Sequence, residues 1–215
     1  MRDRIVLAIG VALLVVGCSA PIRQLVVVTP DEVNSSKGTL SLWEHDGAWQ
    51  KEFEFGVVLG RNGVAAKGEK REGDGKTPSG LFALGPLFAA TPIEGVVMKQ
   101  FVTEGRLCID DPLSPDYNQI VAANKENYAS YEEMARPDGL YDIGAVINYN
   151  EERIPMKGSC IFLHIARSDG TPTAGCVAAS KERLLLLFRR LNPQANPHIW
   201  IGLAAEADSV RGRLK

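Results

Sequence analysis

His164 ends the apolar run Ser159-Cys-Ile-Phe-Leu-His164, and Cys176 follows it by twelve positions, closing Thr173-Ala-Gly-Cys176. A thiol is a poor nucleophile near neutral pH until a base takes its proton, and histidine has the proton affinity for that task. A strand that ends on the histidine, followed by a short loop returning through Gly175, brings the two side chains together. The pair reads as the nucleophile and general base of a cysteine acyl transfer. Backbone N–H groups of Gly175 and Cys176 are the matching oxyanion donors, because glycine lets a reacting carbonyl approach closely. A helix capped by Ser180 would set its positive end near the thiol and favour thiolate. The competing reading makes His164 a buried, hydrogen-bonded histidine at a strand end.

Other polar residues are less specific. Arg71, Lys76 and Arg167 are candidates for holding substrate carboxylates, and each is equally a solvated charge. Asp110 and Asp111 could organise a site, although Asp-Asp-Pro is first a turn signal. His45 and His198 lack metal-ligand spacing, so no metal and no cofactor are expected. Gly75-Lys76-Thr77 is not a phosphate loop: Lys70 stands where its first glycine is needed, and Pro78 obstructs the helix that must follow.

The four cysteines sort by context. Arg2 and Arg4, the apolar run Ile5–Val16 and then Gly17-Cys18 read as an export signal with a lipobox, too short for a membrane span. On this reading residues 1–17 are cleaved and Cys18 carries lipid, anchoring the chain to the bacterial envelope on the periplasmic side. Ser19 after it leans toward the outer membrane. With Cys176 assigned to chemistry, Cys108 and Cys160 remain, and in an oxidising compartment two leftover thiols often pair. The alternatives are two small buried hydrophobes, or a Cys176–Cys160 bond that makes Cys176 structural.

Roughly 200 residues remain after cleavage, enough for one domain with a sizeable core. Lysine and arginine number 24 against 26 acidic residues, which argues against a nucleic-acid surface. Residues 18–38, with the apolar Leu25–Val28 between prolines, read as a lipidated cysteine and tether, residues 39–205 as the catalytic domain and residues 206–215 as a polar tail. Alternation on both sides of Asp46-Gly47 predicts a hairpin. Residues 60–80 read as a long functional surface loop. Short strands are expected at Leu81–Leu84, Val96–Met98, Ala145–Tyr149 and His198–Gly202. Helices are expected at Tyr128–Ala135 and Lys181–Leu191, the latter capped by Ser180. The fold class is mainly β with marginal helices, an α+β arrangement.

Four ordered motifs resemble the L,D-transpeptidase (YkuD) family in its shorter envelope branch: Lys70-Arg-Glu-Gly-Asp-Gly-Lys-Thr-Pro-Ser-Gly80, Cys108-Ile-Asp-Asp-Pro112, Ser159–His164 and Thr173–Cys176. The resemblance runs from about Thr39 to Trp200. It implies a sandwich-like or barrel-like β catalytic domain, acting as a monomer on peptidoglycan stem peptides. Cys176 would attack a stem carbonyl at the third-position diamino acid and pass the acyl group to an amine, forming a cross-link, or to water. His164 would be the base and Thr173 a substrate contact. The commoner pattern has histidine where this chain has Ala174 and a polar residue where it has Ala178. Carboxypeptidase action and non-catalytic wall binding are the alternatives.

Overall fold

The computed structural model describes residues 20–214. The signal and Cys18 lie outside the described residues. Twelve strands run in chain order: β1 (Gln24–Pro30), β2 (Lys37–Asp46), β3 (Ala48–Val58), β4 (Gly80–Ala89), β5 (Gln100–Val102), β6 (Arg106–Cys108), β7 (Ile120–Ala122), β8 (Glu132–Glu133), β9 (Ile143–Ile147), β10 (Phe162–Ile165), β11 (Val177–Ala179) and β12 (His198–Ile201). Helix α1 (Lys181–Arg190) follows β11, and α2 (Ala204–Arg213) ends the chain. The domain is mainly β. Among the described residues no helix is long and apolar enough to cross a membrane.

Nine strands form one sheet in the order β12-β1-β2-β3-β11-β10-β9-β4-β5, and β12 also pairs with the first half of β4. That second pairing closes the sheet on itself, a barrel-like outcome that removes most open edges. β6, β7 and β8 make a separate three-stranded sheet.

β1 shows how the sequence builds this core. Its Leu-Val-Val-Val run is β-branched and buried throughout, as suits a strand paired on both sides and covered on both faces. Val26 and Val28 face the main core, whereas Leu25 and Val27 face a second cluster with Trp200, Ala207 and Val210. α1 starts where Ser180 Oγ accepts the Arg183 N–H. It buries Leu184, Leu187 and Phe188 against the main core, an i, i+3, i+4 stripe.

Several expectations are corrected. Residues 24–38 are not a tether, since β1 and the start of β2 sit inside the closed sheet. Val96–Met98 is not a strand: the Gln100 amide bonds both the N–H and the C=O of Ile93, closing a loop that leaves Val97 66% exposed. The helix expected at 128–135 is absent. Glu132 and Glu133 pair instead with Cys108 and Leu107 of β6, a ladder that buries Met134 completely and overrides the helical spacing of Tyr128, Tyr131 and Met134. The expected polar tail is α2, held by Ala207 and Val210 beneath Trp200 and by the Trp49 Nε1–H bond to the Arg211 carbonyl. Residues 60–80 form a loop, but not one confined to the surface. Val64, Ala65, Lys70 and Thr77 are buried in it.

Candidate active site

β10 and β11 lie side by side and parallel, with Leu163 opposite Val177 and His164 opposite Ala178. Two residues back along each strand, Phe162 lies level with Cys176, whose Sγ accepts the Phe162 N–H at 3.3 Å. Side chains alternate in a strand, so His164 and Cys176 share a face as diagonal neighbours. Strand spacing and rise put their Cα atoms roughly 8 Å apart. On the other side of His164 stands Gly144 of β9. Gly144 is glycine because a Cβ there would lie 2.1 Å from the Phe88 ring. Small residues thus flank the imidazole on both sides.

The resting thiol is held by backbone groups. Cys176 Sγ donates to the Cys160 carbonyl at 3.4 Å, and no hydrogen bond joins it to His164 among the described residues. His164 Nδ1 lies 2.9 Å from the Ile165 carbonyl oxygen. A carbonyl can only accept, so Nδ1 carries the hydrogen and Nε2 offers its lone pair. Both groups are almost fully buried. Burial pushes the Cys176 thiol up to about 12 and pulls the His164 imidazole down to about 4. The pair is therefore neutral at rest. The help expected from a helix terminus is absent: β11 separates Cys176 from Ser180 by roughly 13 Å of extended chain, beyond the first-turn range of a helix dipole.

The loop carrying Cys176 is fixed by hydroxyl groups. Thr173 Oγ1 donates to the Cys176 carbonyl at 2.7 Å and accepts the Gly175 N–H at 3.1 Å. Thr77 Oγ1, fully buried, donates to the same carbonyl at 3.4 Å and accepts the Gly60 N–H at 2.9 Å. The glycine-rich 60–80 segment therefore buttresses Cys176 from below. A Cβ at Gly175 would meet the Lys76 carbonyl at 3.0 Å, which explains glycine there. Because the Gly175 N–H is engaged by Thr173, the Cys176 N–H remains the better oxyanion donor of the two.

A cavity of about 290 Å³ opens onto both His164 and Cys176. Thr173, Ala174, Ala178 and Arg167 line it. Arg71 and Lys76 do not. The Arg71 guanidinium is spent on the Gly68 and Lys70 carbonyls, and Lys76 contributes backbone to the loop. Three ionisable residues with no expected role also line the cavity: Glu132, Arg136 and Tyr141. The Tyr141 ring packs edge-on against His164, with centroids 5.1 Å apart, and its hydroxyl donates to Glu132 Oε2 at 2.5 Å. Burial raises the Glu132 carboxyl above the usual carboxylate range. Arg136 grips Asp138 with two hydrogen bonds, holding that carboxyl down to about 2, and Arg167 reaches the same carboxylate at 3.3 Å. Glu132 and Arg136 were hidden by the helical reading of their segment. Position Tyr141 carried no signal beyond an apolar neighbour.

A larger groove of about 550 Å³ borders Phe101, Arg106, Asn118 and Tyr149. Neither Cys176 nor His164 lines it; both line the smaller cavity. Between the two lies a disulfide joining Cys108 to Cys160, which leaves Cys176 as the free thiol of the described residues. Cys160 sits at φ +52°, its N–H accepted by Asn118 Oδ1 at 3.0 Å. This turn aims its carbonyl at the Cys176 thiol. Asp111 caps a turn through the Leu113 N–H, as the Asp-Asp-Pro signal suggested, while Asp110 Oδ1 is buried without a partner. His45 packs on Trp49 and His198 bonds the Asn196 carbonyl, both remote from the cavity.

The sequence matches the YkuD family model, described as the L,D-transpeptidase catalytic domain, over residues 32–199. No curated protein and no solved structure matches the chain. The match covers most of the chain, and the protein belongs to the YkuD family of L,D-transpeptidase catalytic domains.

Proposed function

From that membership, which makes the chain an L,D-transpeptidase-type acyltransferase domain of the peptidoglycan cross-linking class, we propose that Cys176 is the acyl-accepting nucleophile and His164 its base. The observation that carries this reading is the shared cavity. Two buried side chains from adjacent parallel strands open onto one space, with the unprotonated Nε2 of His164 available. A stem peptide enters with the carbonyl of its third-position diamino acid next to Sγ. Rotation of the thiol away from the Cys160 carbonyl brings its proton to His164 Nε2 as the S–C bond forms. The tetrahedral oxygen is held by the Cys176 N–H. His164 then gives the proton to the leaving amine of the terminal D-residue, leaving a thioester. Attack by an amine gives a cross-link and attack by water a trimmed stem.

Because both groups are neutral at rest, proton transfer and bond formation proceed together. The export signal and Cys18 support an envelope lipoprotein facing the periplasm, with the outer membrane favoured by Ser19. The test is a mass adduct with a carbapenem, present in the native chain and lost in Cys176→Ala, together with muropeptide profiles of cells carrying each form. An unreactive Cys176 with unchanged muropeptides overturns the proposal. Peptidoglycan binding that persists in that case favours a wall-binding role.

A further inference from the structure

We propose that Glu132 receives the protonated primary amine that resolves the acyl-enzyme, and thereby sets the partition between aminolysis and hydrolysis. This rests on the function proposed above. Glu132 is the one carboxylate lining the cavity that holds Cys176. The two guanidinium groups lining it, Arg136 and Arg167, are both committed to Asp138, which does not line it. Tyr141 is the one hydrogen-bond donor to Glu132 among the described residues, and it occupies Oε2. Oε1 is left to a ligand, and the ligand that suits a half-buried carboxylate in a cleft is a cation with hydrogens to donate. Ala174 and Ala178 leave room for it beside the thiol.

The position of the carboxylate is covalently set. Glu132 is the cross-strand partner of Cys108, and Cys108 is bonded to Cys160, whose carbonyl seats the Cys176 thiol. A single bridge therefore fixes the nucleophile and the carboxylate relative to each other. Asp110 and Glu72 act on Glu132 as further negative charges, Arg136 opposes them, and Asp110 Oδ1 is buried without a partner. Burial, with Asp110 and Glu72, outweighs the lowering by the Tyr141 hydrogen bond and Arg136 and raises the proton affinity of Glu132, which suits a group that must take a proton from an ammonium ion.

The step balances as follows. The ammonium gives one proton to Glu132, and the neutral amine attacks the thioester carbonyl. An N–C bond forms and the C–S bond breaks, leaving the sulfur as thiolate. The second nitrogen proton passes through His164 to Sγ, giving amide and thiol, and Glu132 releases its proton to solvent. Water, carrying no charge, forms no ion pair with Glu132, so the carboxylate concentrates and orients the ammonium acceptor in preference to it.

The experiment uses the acyl-enzyme made from a stem tetrapeptide donor. It is mixed with a diaminopimelate-containing tripeptide or with a lysine-containing peptide, and amide and hydrolysed products are separated by mass. Glu132→Gln is expected to lower the amide-to-hydrolysis ratio by about 10- to 100-fold, with partial rescue in Glu132→Asp. The two acceptors distinguish a stem amine from a protein amine by which of them shows the loss. An unchanged ratio in an acylated Glu132→Gln enzyme overturns the inference. Failure of the native enzyme to acylate overturns the functional reading itself. A second measurement needs no variant. In the native acyl-enzyme, aminolysis should saturate with the charged acceptor and stay linear with hydroxylamine, which is uncharged at neutral pH. Linear dependence on both overturns the inference.

Discussion

The neutral resting pair makes a quantitative claim about thiol reactivity. Burial lifts the Cys176 thiol from 9.0 to about 12, so at any pH below 9 its thiolate population is about 1000-fold below that of an open-chain cysteine. Alkylation by iodoacetamide, which consumes thiolate without help from a base, should be slower than for a model peptide by that factor. It should rise about tenfold per pH unit through pH 9 with no plateau. On the proposed mechanism, acylation by a donor that fills the cavity should behave differently, because His164 would remove the proton as the bond forms. The active form of His164 is neutral, and burial places its titration at about 4. The acylation rate should therefore climb as pH rises through about 4 and then stay level across neutrality. Forming a thiolate–imidazolium pair in advance would cost about 11 kcal/mol, the eight pH units between the two groups at 1.36 kcal/mol each. That exceeds what their mutual attraction returns at an effective dielectric near 20, about 4 kcal/mol at close contact. Iodoacetamide kinetics and acylation by a carbapenem, each followed by mass from pH 4 to 9, measure both profiles. An alkylation rate that titrates with a midpoint between pH 5 and 7 would refute the reasoning, since it requires a pre-formed ion pair.

Two further outcomes follow from the same structure. The Cys108–Cys160 bridge closes a loop of 52 positions, so replacing both cysteines by serine should destabilise the domain by about 4 kcal/mol and lower its Tm by roughly 8–16 °C. Thermal melts in oxidising buffer measure the loss, and a shift under 3 °C would show that the bridge is not a structural staple. Gly144→Ala should cost about 1–3 kcal/mol in urea denaturation, because its Cβ meets the Phe88 ring at 2.1 Å and the Leu163 carbonyl at 2.8 Å. Gly56→Ala, with its nearest atom at 3.9 Å, is the control expected to stay near neutral.

Legibility in the sequence tracked the range of the interaction. The hairpin at Asp46-Gly47 and the Ser180-capped helix rest on periodicity and local chemistry, and the structure has an element at each. The errors came where a distant partner decided. Glu132 and Glu133 form a strand because β6 offers a ladder, not because their own segment prefers one. The Ala204–Arg213 segment is helical because Trp200 gives Ala207 and Val210 a surface to cover. Nor did local spacing show that a strand, rather than a helix terminus, follows Cys176.

The same distinction bears on Ala174 and Ala178. Beside the nucleophile they look like losses, since the resemblance leads one to expect polar groups there. Ala178 stands directly across from His164 and lines the cavity with it, so a polar side chain at that position would occupy the space beside the imidazole. In this chain that space is open, and three of the polar groups around it come from the segment leading into β9: Glu132 from β8 of the smaller sheet, and Arg136 and Tyr141 from the turn after it. Tyr141 joins the two halves, its ring on His164 and its hydroxyl on Glu132. In this chain the ionisable groups beside Cys176 and His164 are Glu132, Arg136, Tyr141 and Arg167. A motif scan along the chain cannot register these residues, because Glu132 is brought to the thiol by strand pairing and a disulfide, neither of which leaves a mark near Cys176. The specificity of this site should therefore follow variation at Glu132, Arg136 and Tyr141 more closely than variation in the loop that carries the nucleophile.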